Sequence, residues 1–432
     1  MKISNYTFNF IHESKAYFFN SLTGAIFAIP ESKAHAYQTI LENPDSHNDE
    51  FGQFIERMKE RGFIVEDDTD EKALTVEKYQ ALRKPHQFHL MILPTYQCNL
   101  RCWYCTQTHA DNWMTDETVE RIKLLIRNEL SKDEIKDLHI SWFGGEPLLG
   151  YGIVKSLTEY GRDICKELNK HFTAGITTNS TLLTPERIEE LREAGIIDYQ
   201  ITIDGKRDVH DTIKVLGNKS AYDTALNNIN LIARHTHVNL RFNYTAETLS
   251  PEEIITDLNE HLDKDVRRNI TFNLFKVWQE DKSLIEPAKI DSLFHKGYEM
   301  GLYTNLFHSN LCYVDQFNFH CVFPNGRVGK CDNLNPDDVY GLLDEKGNVV
   351  WTNEAVKYAL PALFTGKVDY ECENCKFLPL CWGPCSVKRE PMWRRRGKIE
   401  CMYPDKETAM KELILNYYKT QKEYHHNAKT LV

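Results

Sequence analysis

Three cysteines, Cys98, Cys102 and Cys105, lie close together in the spacing C-x-x-x-C-x-x-C. Iron–sulfur cubes are held by Cys thiolates, normally four of them, so three thiolates would leave one iron with an open coordination position. An open position is what distinguishes a catalytic metal site from a structural one. The stretch therefore predicts a catalytic iron–sulfur centre, and the spacing alone leaves a structural zinc site as the alternative.

The composition of the chain limits the functional classes to be considered. Its 432 residues are 41% hydrophobic and 27% charged, which is typical of a globular protein of two or three domains. No secretory signal and no apolar run of roughly 20 residues is found, so we expect a cytoplasmic protein without a membrane segment. The net charge of −11 argues against nucleic acid as a partner. Twelve cysteines in that compartment indicate metal binding, because disulfides are rare there.

Between residues 86 and 305 the sequence alternates between strand and helix patterns. Six alternations predict a parallel sheet with right-handed crossovers, in an α/β fold that forms an open, partial (βα)6 TIM-like barrel. Such a sheet carries its chemistry at the carboxyl ends of the strands, and the Cys98–Cys105 stretch follows the first strand directly. Thr115 and Thr184 are predicted to cap two of the helices. The predicted strands are 88–93, 138–142, 173–178, 198–203, 238–244 and 270–275.

Polar residues and glycines follow the second, third and fourth predicted strands. Paired glycines after the second strand would let a ligand approach the backbone closely. Each group is also an ordinary turn signal, so a purely structural role is the alternative for each of them. The groups are Gly144-Gly145-Glu146-Pro147, Asn179-Ser180-Thr181 and Asp204-Gly205.

The cysteine stretch resembles the signature of the radical S-adenosylmethionine (SAM) enzymes, C-x-x-x-C-x-aromatic-C, with Tyr104 in the aromatic position. The resemblance implies that SAM binds the open iron of a [4Fe–4S] cluster held by Cys98, Cys102 and Cys105. One electron from the cluster would cleave SAM to methionine and a 5′-deoxyadenosyl radical. That radical would abstract hydrogen from an unactivated carbon, a task beyond any side chain alone.

The family also uses the loops after the later strands to hold SAM. By resemblance, the Gly-Gly-Glu-Pro element holds the amino end of the methionine moiety. The loop after the third strand lies near the ribose and the methionine, and Ser180 stands where the family usually has Gly. Asp204 would orient SAM or accept a proton. The implied cosubstrate-binding residues are Tyr104, Gly144, Gly145, Glu146, Asn179, Ser180 and Thr181.

Eight further cysteines between residues 312 and 401 resemble those of the SPASM branch of this family, which carries extra clusters. The resemblance implies two auxiliary [4Fe–4S] clusters with full sets of protein ligands, suited to electron transfer. Cys165 is then left as a buried, inert thiol. Paired structural zinc sites are the alternative. The implied ligand sets are Cys312, Cys321, Cys331 and Cys385 for one cluster, and Cys372, Cys375, Cys381 and Cys401 for the other.

Residues 1–85 combine alternating strand patterns with two helical stretches and a short last strand, 63–65. This arrangement resembles the winged-helix-like module with which many peptide-modifying radical enzymes recognise a precursor. In those enzymes a leader peptide adds as a strand to an exposed sheet edge. A cap or dimerisation module is the alternative. The acidic run 66–71 is interpreted as a solvated boundary.

These features predict a leader-recognition module at 1–85, a radical SAM barrel at 86–305, and a SPASM domain with a C-terminal helix at 306–432. The expected function is a peptide maturase that installs a thioether or carbon–carbon cross-link in a ribosomally made precursor peptide. A low-potential donor such as flavodoxin or ferredoxin is the expected redox partner. The alternatives are formylglycine formation, as in sulfatase maturases, and a non-catalytic iron–sulfur or zinc scaffold that binds a peptide.

Overall fold

The chain forms two compact units in the computed structural model. The first unit comprises residues 1–84, 306–317 and 358–432, and the second comprises residues 85–305 and 318–357. The structure describes the chain except for residues 282–283, 305–310, 333–340, 353–362, 365, 367–368, 386–391, 393–394, 402, 404, 412, 416–417 and 419–432.

The first unit begins with a small module of strands and helices. Its strands are β1 (Lys2–Ile3), β2 (Thr7–His12), β3 (Lys15–Asn20), β4 (Ile26–Pro30) and β5 (Ile64–Val65). Its helices are α1 (Ala34–Glu42), α2 (Asn48–Glu60) and α3 (Glu71–Arg83). Strands β2, β3 and β4 form an antiparallel sheet in that order, and β1 pairs with β5. In this sheet β2 and β4 are therefore the edge strands.

The interpretation of the whole acidic run 66–71 as a solvated boundary is wrong at its C-terminal end. Asp70 caps α3 by accepting a hydrogen bond from the backbone N–H of Ala73 at 2.9 Å. Glu71 is only 4% exposed. Its carboxylate accepts hydrogen bonds from the Ser4 hydroxyl and, at 2.9 Å, from the backbone N–H of Asn5. The run thus ends in a buried acid that ties α3 to the loop after β1.

The N-terminal module shares a core with the C-terminal cysteine region inside the first unit. Phe8 packs edge-on against Phe377 with ring centroids 4.7 Å apart, and Tyr79 stacks on Trp382 at 5.6 Å. The described elements of the C-terminal region are short: a strand at Asp369–Tyr370, a helix at Leu378–Cys381 and a strand at Lys398–Ile399. The two strands pair in parallel.

The second unit is built on a parallel sheet, which confirms the predicted α/β architecture. Its first six strands are β6 (Gln87–Ile92), β7 (Asp137–Trp142), β8 (His171–Thr178), β9 (Ile196–Asp204), β10 (His237–Tyr244) and β11 (Ile270–Lys276). Each pairs in parallel with the next strand along the chain, so their carboxyl ends meet at one edge. All six predicted strands are present.

The sheet continues on both sides of these strands, to eleven strands in total among the described residues. A short strand, Tyr303–Thr304, pairs in parallel with β11. On the other side, Phe319–Val322 pairs in parallel with β6. Strands Arg327–Gly329, Gly341–Leu343 and Val349–Trp351 follow with antiparallel pairing, which makes the sheet mixed.

Helices connect the parallel strands and cover the apolar side chains of the sheet. They are α4 (Asp116–Leu130), α5 (Tyr151–Glu167), α6 (Pro185–Ala194), α7 (Arg207–Ile213), α8 (Ala221–Ala233), α9 (Pro251–His261) and α10 (Pro287–Glu299). The predicted caps are confirmed: Thr115 and Thr184 accept hydrogen bonds from backbone N–H groups at 3.2 and 3.3 Å. Within the described part of the chain, no helix combines the length and apolarity that crossing a membrane requires.

Candidate active site

The Cys98–Cys105 stretch follows the carboxyl end of β6, at the edge where this architecture places its chemistry. The three thiols interact electrostatically with one another, which places them in one group. The backbone N–H of Cys105 donates to the carbonyl of Cys102 at 3.1 Å and closes a tight turn between them. The structure thus brings together the three residues predicted as cluster ligands.

The separation of these thiols bears on which metal group fits them. Zinc–sulfur bonds of about 2.3 Å in a tetrahedral site place the sulfurs about 3.8 Å apart. The sulfurs of Cys98, Cys102 and Cys105, which the structure describes, do not all lie within 4.8 Å of one another. Three sulfurs on one tetrahedral zinc ion would all meet that limit. The number of thiols matches a four-iron cube with one open iron.

Burial changes the protonation chemistry of two of the thiols. It raises the pKa of Cys98 to about 11, although the backbone N–H of Leu100 donates to the sulfur at 3.4 Å and opposes the shift. Burial also raises the pKa of Cys102, against the nearby positive charge of Lys214. Because the thiolate is the ligand form, a bound cation must replace both protons.

Gly144 and Gly145 are required by the backbone of the cysteine loop itself. The N–H of Gly145 donates to the carbonyl of Thr95 at 3.2 Å, and that of Glu146 donates to the carbonyl of Gln97 at 2.8 Å. A Cβ at Gly145 would lie 2.1 Å from the Gln97 oxygen, and one at Gly144 would lie 2.5 Å from the Thr95 oxygen. The paired glycines therefore let the segment after β7 dock against the residues that lead into Cys98.

Glu146 is fully buried and joins the ends of two neighbouring strands. Its carboxylate accepts hydrogen bonds from the backbone N–H of Leu148 at 3.0 Å and of Asn179 at 2.8 Å, and from the Thr178 hydroxyl at 2.8 Å. Burial raises the pKa of Glu146 to about 7, and these hydrogen bonds oppose the shift. The side chain thus braces the loops after β7 and β8, and its contact with SAM remains a prediction.

Asn179 and Thr181 form a hydrogen-bonded link to the first part of the cysteine loop. The side-chain amide of Asn179 donates to Asn99 Oδ1 at 2.9 Å and lies 3.7 Å from the sulfur of Cys98. Its Oδ1 accepts from the backbone N–H and the hydroxyl of Thr181 at 3.0 and 2.6 Å. Asn99 in turn donates to the Thr181 hydroxyl at 2.8 Å. These side chains therefore hold the loop that carries Cys98.

Ser180, at the position where the family usually has Gly, adopts the left-handed backbone conformation with φ +61°. It is fully buried, and its hydroxyl has no hydrogen-bond partner among the described residues. Its carbonyl accepts from the side chain of Asn228 at 2.9 Å. Ser180 therefore keeps the left-handed backbone conformation that glycine adopts more easily than serine.

Asp204 lies at the end of β9 and is bound on both carboxylate oxygens. The Tyr104 hydroxyl donates to Oδ1 at 2.6 Å, and the ammonium of Lys214 forms an ion pair with Oδ2. Burial by itself raises the pKa of Asp204, but the charges of Lys214 and His210 and the hydrogen bonds from Lys214 and Tyr104 together hold the pKa below its usual value. Asp204 is therefore a paired carboxylate that anchors Tyr104.

Sequence reasoning missed Lys214, because an isolated lysine near the end of a short helix carries no motif. The side chain is buried, and Nζ also lies 3.3 Å from the Tyr104 hydroxyl oxygen. The available signal was its place between Ile213 and Val215, ten residues after the Asp-Gly loop. That signal indicates partial burial and nothing about its partner.

A cavity of about 510 Å³ adjoins the cysteine loop in the second unit. Trp103 and Tyr104 of the loop line it together with Asp204, and the segments after β10 and β11 contribute Glu247 and Glu280. The indole of Trp103 is 57% exposed at this position. The cavity thus adjoins the two aromatic residues that lie between Cys102 and Cys105.

Six of the eight C-terminal cysteines fall into two interacting groups. Cys372, Cys375, Cys381 and Cys401 belong to the first unit, and their thiols interact electrostatically with one another. Cys321 and Cys331 belong to the second unit and also interact, whereas Cys312 and Cys385 belong to the first. Both auxiliary ligand sets remain predictions. Cys165 is buried, with its pKa raised to about 11 by that burial.

Comparison with known proteins agrees with this geometry. A family model, the radical SAM superfamily, matches residues 92–264. Fe-coproporphyrin III synthase of Methanosarcina barkeri is 30% identical over 357 residues, which are 69% of this chain and 83% of that protein. The radical SAM cyclopropyl synthase TigE of Paramaledivibacter caminithermalis is 22% identical over 407 residues, covering 83% of this chain and 80% of TigE. Native anSMEcpe, solved with bound AdoMet and Cp18Cys peptide, has a similar fold, with a TM-score of 0.53 at 17% identity over 80% of this chain and 99% of that chain.

The chain belongs to the radical SAM superfamily and is a radical SAM enzyme. Membership implies SAM and a [4Fe–4S] cluster as cofactors. The three grouped thiols after β6 fit that cluster in number and residue type.

Proposed function

We propose that this enzyme is a maturase that installs a thioether or carbon–carbon cross-link in a ribosomally made peptide. The observation that carries the enzymatic part is the group of three interacting thiols at the carboxyl end of β6, beside a cavity of about 510 Å³. The bound cluster and SAM supply the one-electron chemistry that removes hydrogen from an unactivated carbon. The chain's residues bind, orient and shield these groups.

The residues of the second unit divide these tasks. Cys98, Cys102 and Cys105 hold the cluster and leave one iron open to SAM. Tyr104 presents its ring to the cavity while Asp204 fixes its hydroxyl. Asp204 therefore acts as a positioning residue, because both carboxylate oxygens are already engaged. The backbone segments 144–146 and 179–181 lie beside the cysteine loop and contribute SAM contacts, while their polar side chains brace the loop.

The N-terminal module supports a peptide as the substrate, because its sheet has edge strands to which an extended peptide can add. The Asn20 N–H donates to the Ala25 carbonyl at 2.9 Å, so Asn20 and Ala25 are a hydrogen-bonded pair at the end of the β3–β4 ladder. Along β4, residues whose backbone groups face β3 alternate with residues whose backbone groups face away from it. By that alternation, Ile26 and Ala28 direct their backbone groups away from β3. The Ile26 carbonyl is already bound by Arg61 at 2.8 Å. Ala28 is therefore the position on β4 at which we propose that a leader peptide pairs.

The auxiliary cysteines are proposed to carry electrons. The four interacting thiols of the first unit would hold one cluster, and Cys312, Cys321, Cys331 and Cys385 would hold the other. Clusters with full protein ligation would have no iron for substrate, and they would offer a route for the electron that the substrate radical must lose. A flavodoxin or ferredoxin would supply the electron that starts each turnover.

The relation to Fe-coproporphyrin III synthase favours a second candidate, a tetrapyrrole substrate. That protein is 30% identical over 69% of this chain. The two candidates differ in their need for the edge of β4. A proline at Ala28 removes an outward N–H from an edge strand, where proline is tolerated, and leaves the ladder to β3 intact. Peptide processing should then fall, whereas formation of Fe-coproporphyrin III from a tetrapyrrole precursor should be unaffected.

The first test uses anaerobically reconstituted full-length protein. We expect about twelve irons per chain, from three four-iron clusters, and 5′-deoxyadenosine after reduction in the presence of SAM. Cys102→Ala should abolish 5′-deoxyadenosine formation while the auxiliary iron is retained. Retained cleavage in Cys102→Ala, or zinc in place of iron in the wild type, would contradict the proposal.

The second test addresses the peptide. A candidate precursor peptide, encoded by any short reading frame found beside the gene, is coexpressed with the wild type, with Ala28→Pro, and with a matched proline on the opposite edge strand, Ile11→Pro. By the same alternation Ile11 also directs its N–H outward, from β2. A mass loss of two hydrogens per cross-link is expected for the wild type and Ile11→Pro, and a large reduction for Ala28→Pro. Equal processing by Ala28→Pro would exclude docking at β4.

A further inference from the structure

A buried lysine, Lys214, lies beside the cysteine loop without belonging to any motif. The residue is 3% exposed, and its backbone N–H donates to the carbonyl of His210 at 2.7 Å where α7 ends. Its ammonium is paired with Asp204 and lies 3.3 Å from the Tyr104 hydroxyl oxygen. Burying an ammonium is costly unless it is paired, so its place here calls for a reason.

The position of this charge relates it to the cluster ligands. Lys214 acts electrostatically on Cys102, with the sign that favours the thiolate, whereas Asp204 acts on the same thiol with the opposite sign. The two charges of the pair therefore oppose each other at Cys102. Arg241 also acts on Asp204, but its guanidinium lies 4.1 Å from the centroid of the Phe275 ring and donates to Asn243 at 3.1 Å. Lys214 is thus the direct partner of Asp204.

The same contacts fix the second part of the loop mechanically. Tyr104 lies between Cys102 and Cys105 in the sequence, and its hydroxyl is held by Asp204. Asp204 is held in turn by Lys214, and its backbone N–H donates to the ring of His210 at 3.0 Å. A chain of contacts thus runs from α7 through the end of β9 to the loop, and Lys214 is its charged end.

We propose that Lys214 is a positioning residue that fixes Tyr104 through Asp204 and sets the reduction potential of the cluster at Cys98, Cys102 and Cys105. The inference rests on the proposed function, because it requires a cluster at these cysteines. The sign of the effect follows from charge. Removal of the ammonium leaves an unpaired carboxylate beside Cys102, which disfavours adding an electron and lowers the potential. Removal of the carboxylate leaves an ammonium, which raises the potential.

The test is a reductive titration of the reconstituted enzyme followed by electron paramagnetic resonance, without substrate. The signal used is the one that changes when SAM is added, because only the cluster with an open iron responds. Lys214→Met should lower the midpoint potential, and Asp204→Asn should raise it. The double variant Lys214→Met/Asp204→Asn should return toward the wild type, because it removes both charges. Lys214→Arg should stay close to the wild type.

The control is Lys219→Met, an exposed lysine in the loop after α7, which should leave the potential unchanged. If the wild type shows the SAM-sensitive signal but the potential is unchanged in Lys214→Met and Asp204→Asn, this inference is overturned and the proposed function stands. A wild type that binds no iron at these cysteines would overturn the proposed function together with it. If Lys214→Met does not fold, Asp204→Asn and the double variant test whether the two charges shift the midpoint potential in opposite directions.

Discussion

The two parts of the cysteine loop are held by different physical means. Cys98 and Asn99 are tied to the end of β8 through Asn179 and Thr181, by neutral hydrogen bonds that are partly exposed to solvent. Cys102 to Cys105 are tied to β9 and α7 through Tyr104, Asp204 and Lys214, which end in a buried ion pair. The first part of the loop thus depends on several neutral hydrogen bonds, and the second part depends on a few contacts that end in a buried ion pair.

This difference has consequences for tolerance to change. Neutral, half-exposed hydrogen bonds each contribute about 1 kcal/mol, and water can replace a lost partner. A buried ion pair contributes little net stability, but loss of one member leaves a charge in a poor environment. Substitutions in the first part of the loop should therefore lower stability by graded amounts. In the second part, loss of either member of the ion pair should lower it sharply.

The largest expected effect is the loss of one member of the buried ion pair. Asp204→Leu leaves the Lys214 ammonium buried and unpaired, and should lower the free energy of unfolding by about 3–5 kcal/mol. Lys214→Met/Asp204→Leu should cost much less than the two single changes summed. Denaturant unfolding of the metal-free protein, followed by circular dichroism, measures both quantities.

An exposed ion pair serves as the control for that experiment. Arg234 and Asp263 are paired on the surface with side chains 43% and 45% exposed. Arg234→Ala should cost less than about 1 kcal/mol. Additive effects of the Lys214 and Asp204 changes would show that the two residues do not act as a unit, and the contrast between the loop's two parts would disappear.

The next effect concerns the first part of the loop. Asn179→Ala removes the donor to Asn99 and the acceptor for Thr181, and should cost about 1–2 kcal/mol because both contacts are neutral. It should also speed the loss of iron from the loop to a chelator. Asn99→Ala, at an exposed residue, should cost less. A loss as large as that of Asp204→Leu would show that the first part is held as rigidly as the second.

Much of the fold could be predicted from the sequence because its signals are local. The six parallel strands followed from apolar runs, and the caps at Thr115 and Thr184 followed from side chains that bond backbone groups three residues on. The grouping of Cys98, Cys102 and Cys105 followed from their spacing in one loop, and their role as cluster ligands stays a prediction. Each of these features is decided by residues near one another in the chain.

The braces of the site could not be predicted in this way, because they join residues that are distant in the chain. Tyr104 meets Asp204 across 100 positions and Lys214 across 110. The sequence shows Glu146 as a charged acceptor, whereas the fold alone shows that the Asn179 N–H and the Thr178 hydroxyl donate to its carboxylate. Buried polar atoms find partners in the folded chain, and the sequence does not show which partners.

A third prediction uses pH to probe the second part of the loop. His210 is buried against Asp204, Lys214 and the Tyr222 ring, and its Nδ1 accepts from the Asp204 N–H. Burial lowers its pKa to about 3, and the Lys214 charge adds to the shift while Asp204 opposes it. The unfolded chain, with a histidine pKa near 6.5, therefore takes up the proton first. Stability should fall as the pH drops below 6.5, by about 1.4 kcal/mol at pH 5.5.

The measurement compares the free energy of unfolding at pH 7.5 and pH 5.5 in the wild type and in His210→Gln. The glutamine variant should lose about 1.4 kcal/mol less over this interval. Contributions from other buried histidines, such as His89, are common to both proteins and cancel. Identical pH dependence in the two proteins would show that His210 is protonated without cost in the folded state.

The smallest effect is a gain in stability at Ser180, between the two residues that hold the first part of the loop. Its φ of +61° costs about 1 kcal/mol for a residue with a Cβ, and its buried hydroxyl has no hydrogen-bond partner among the described residues. Ser180→Gly should therefore raise the melting temperature by a few degrees, less the entropy that glycine gains in the unfolded chain. Ser180→Ala separates the two causes, because it removes the hydroxyl and keeps the strain. A gain in Ser180→Gly alone would assign the cost to the backbone, and equal gains in both variants would assign it to the buried hydroxyl.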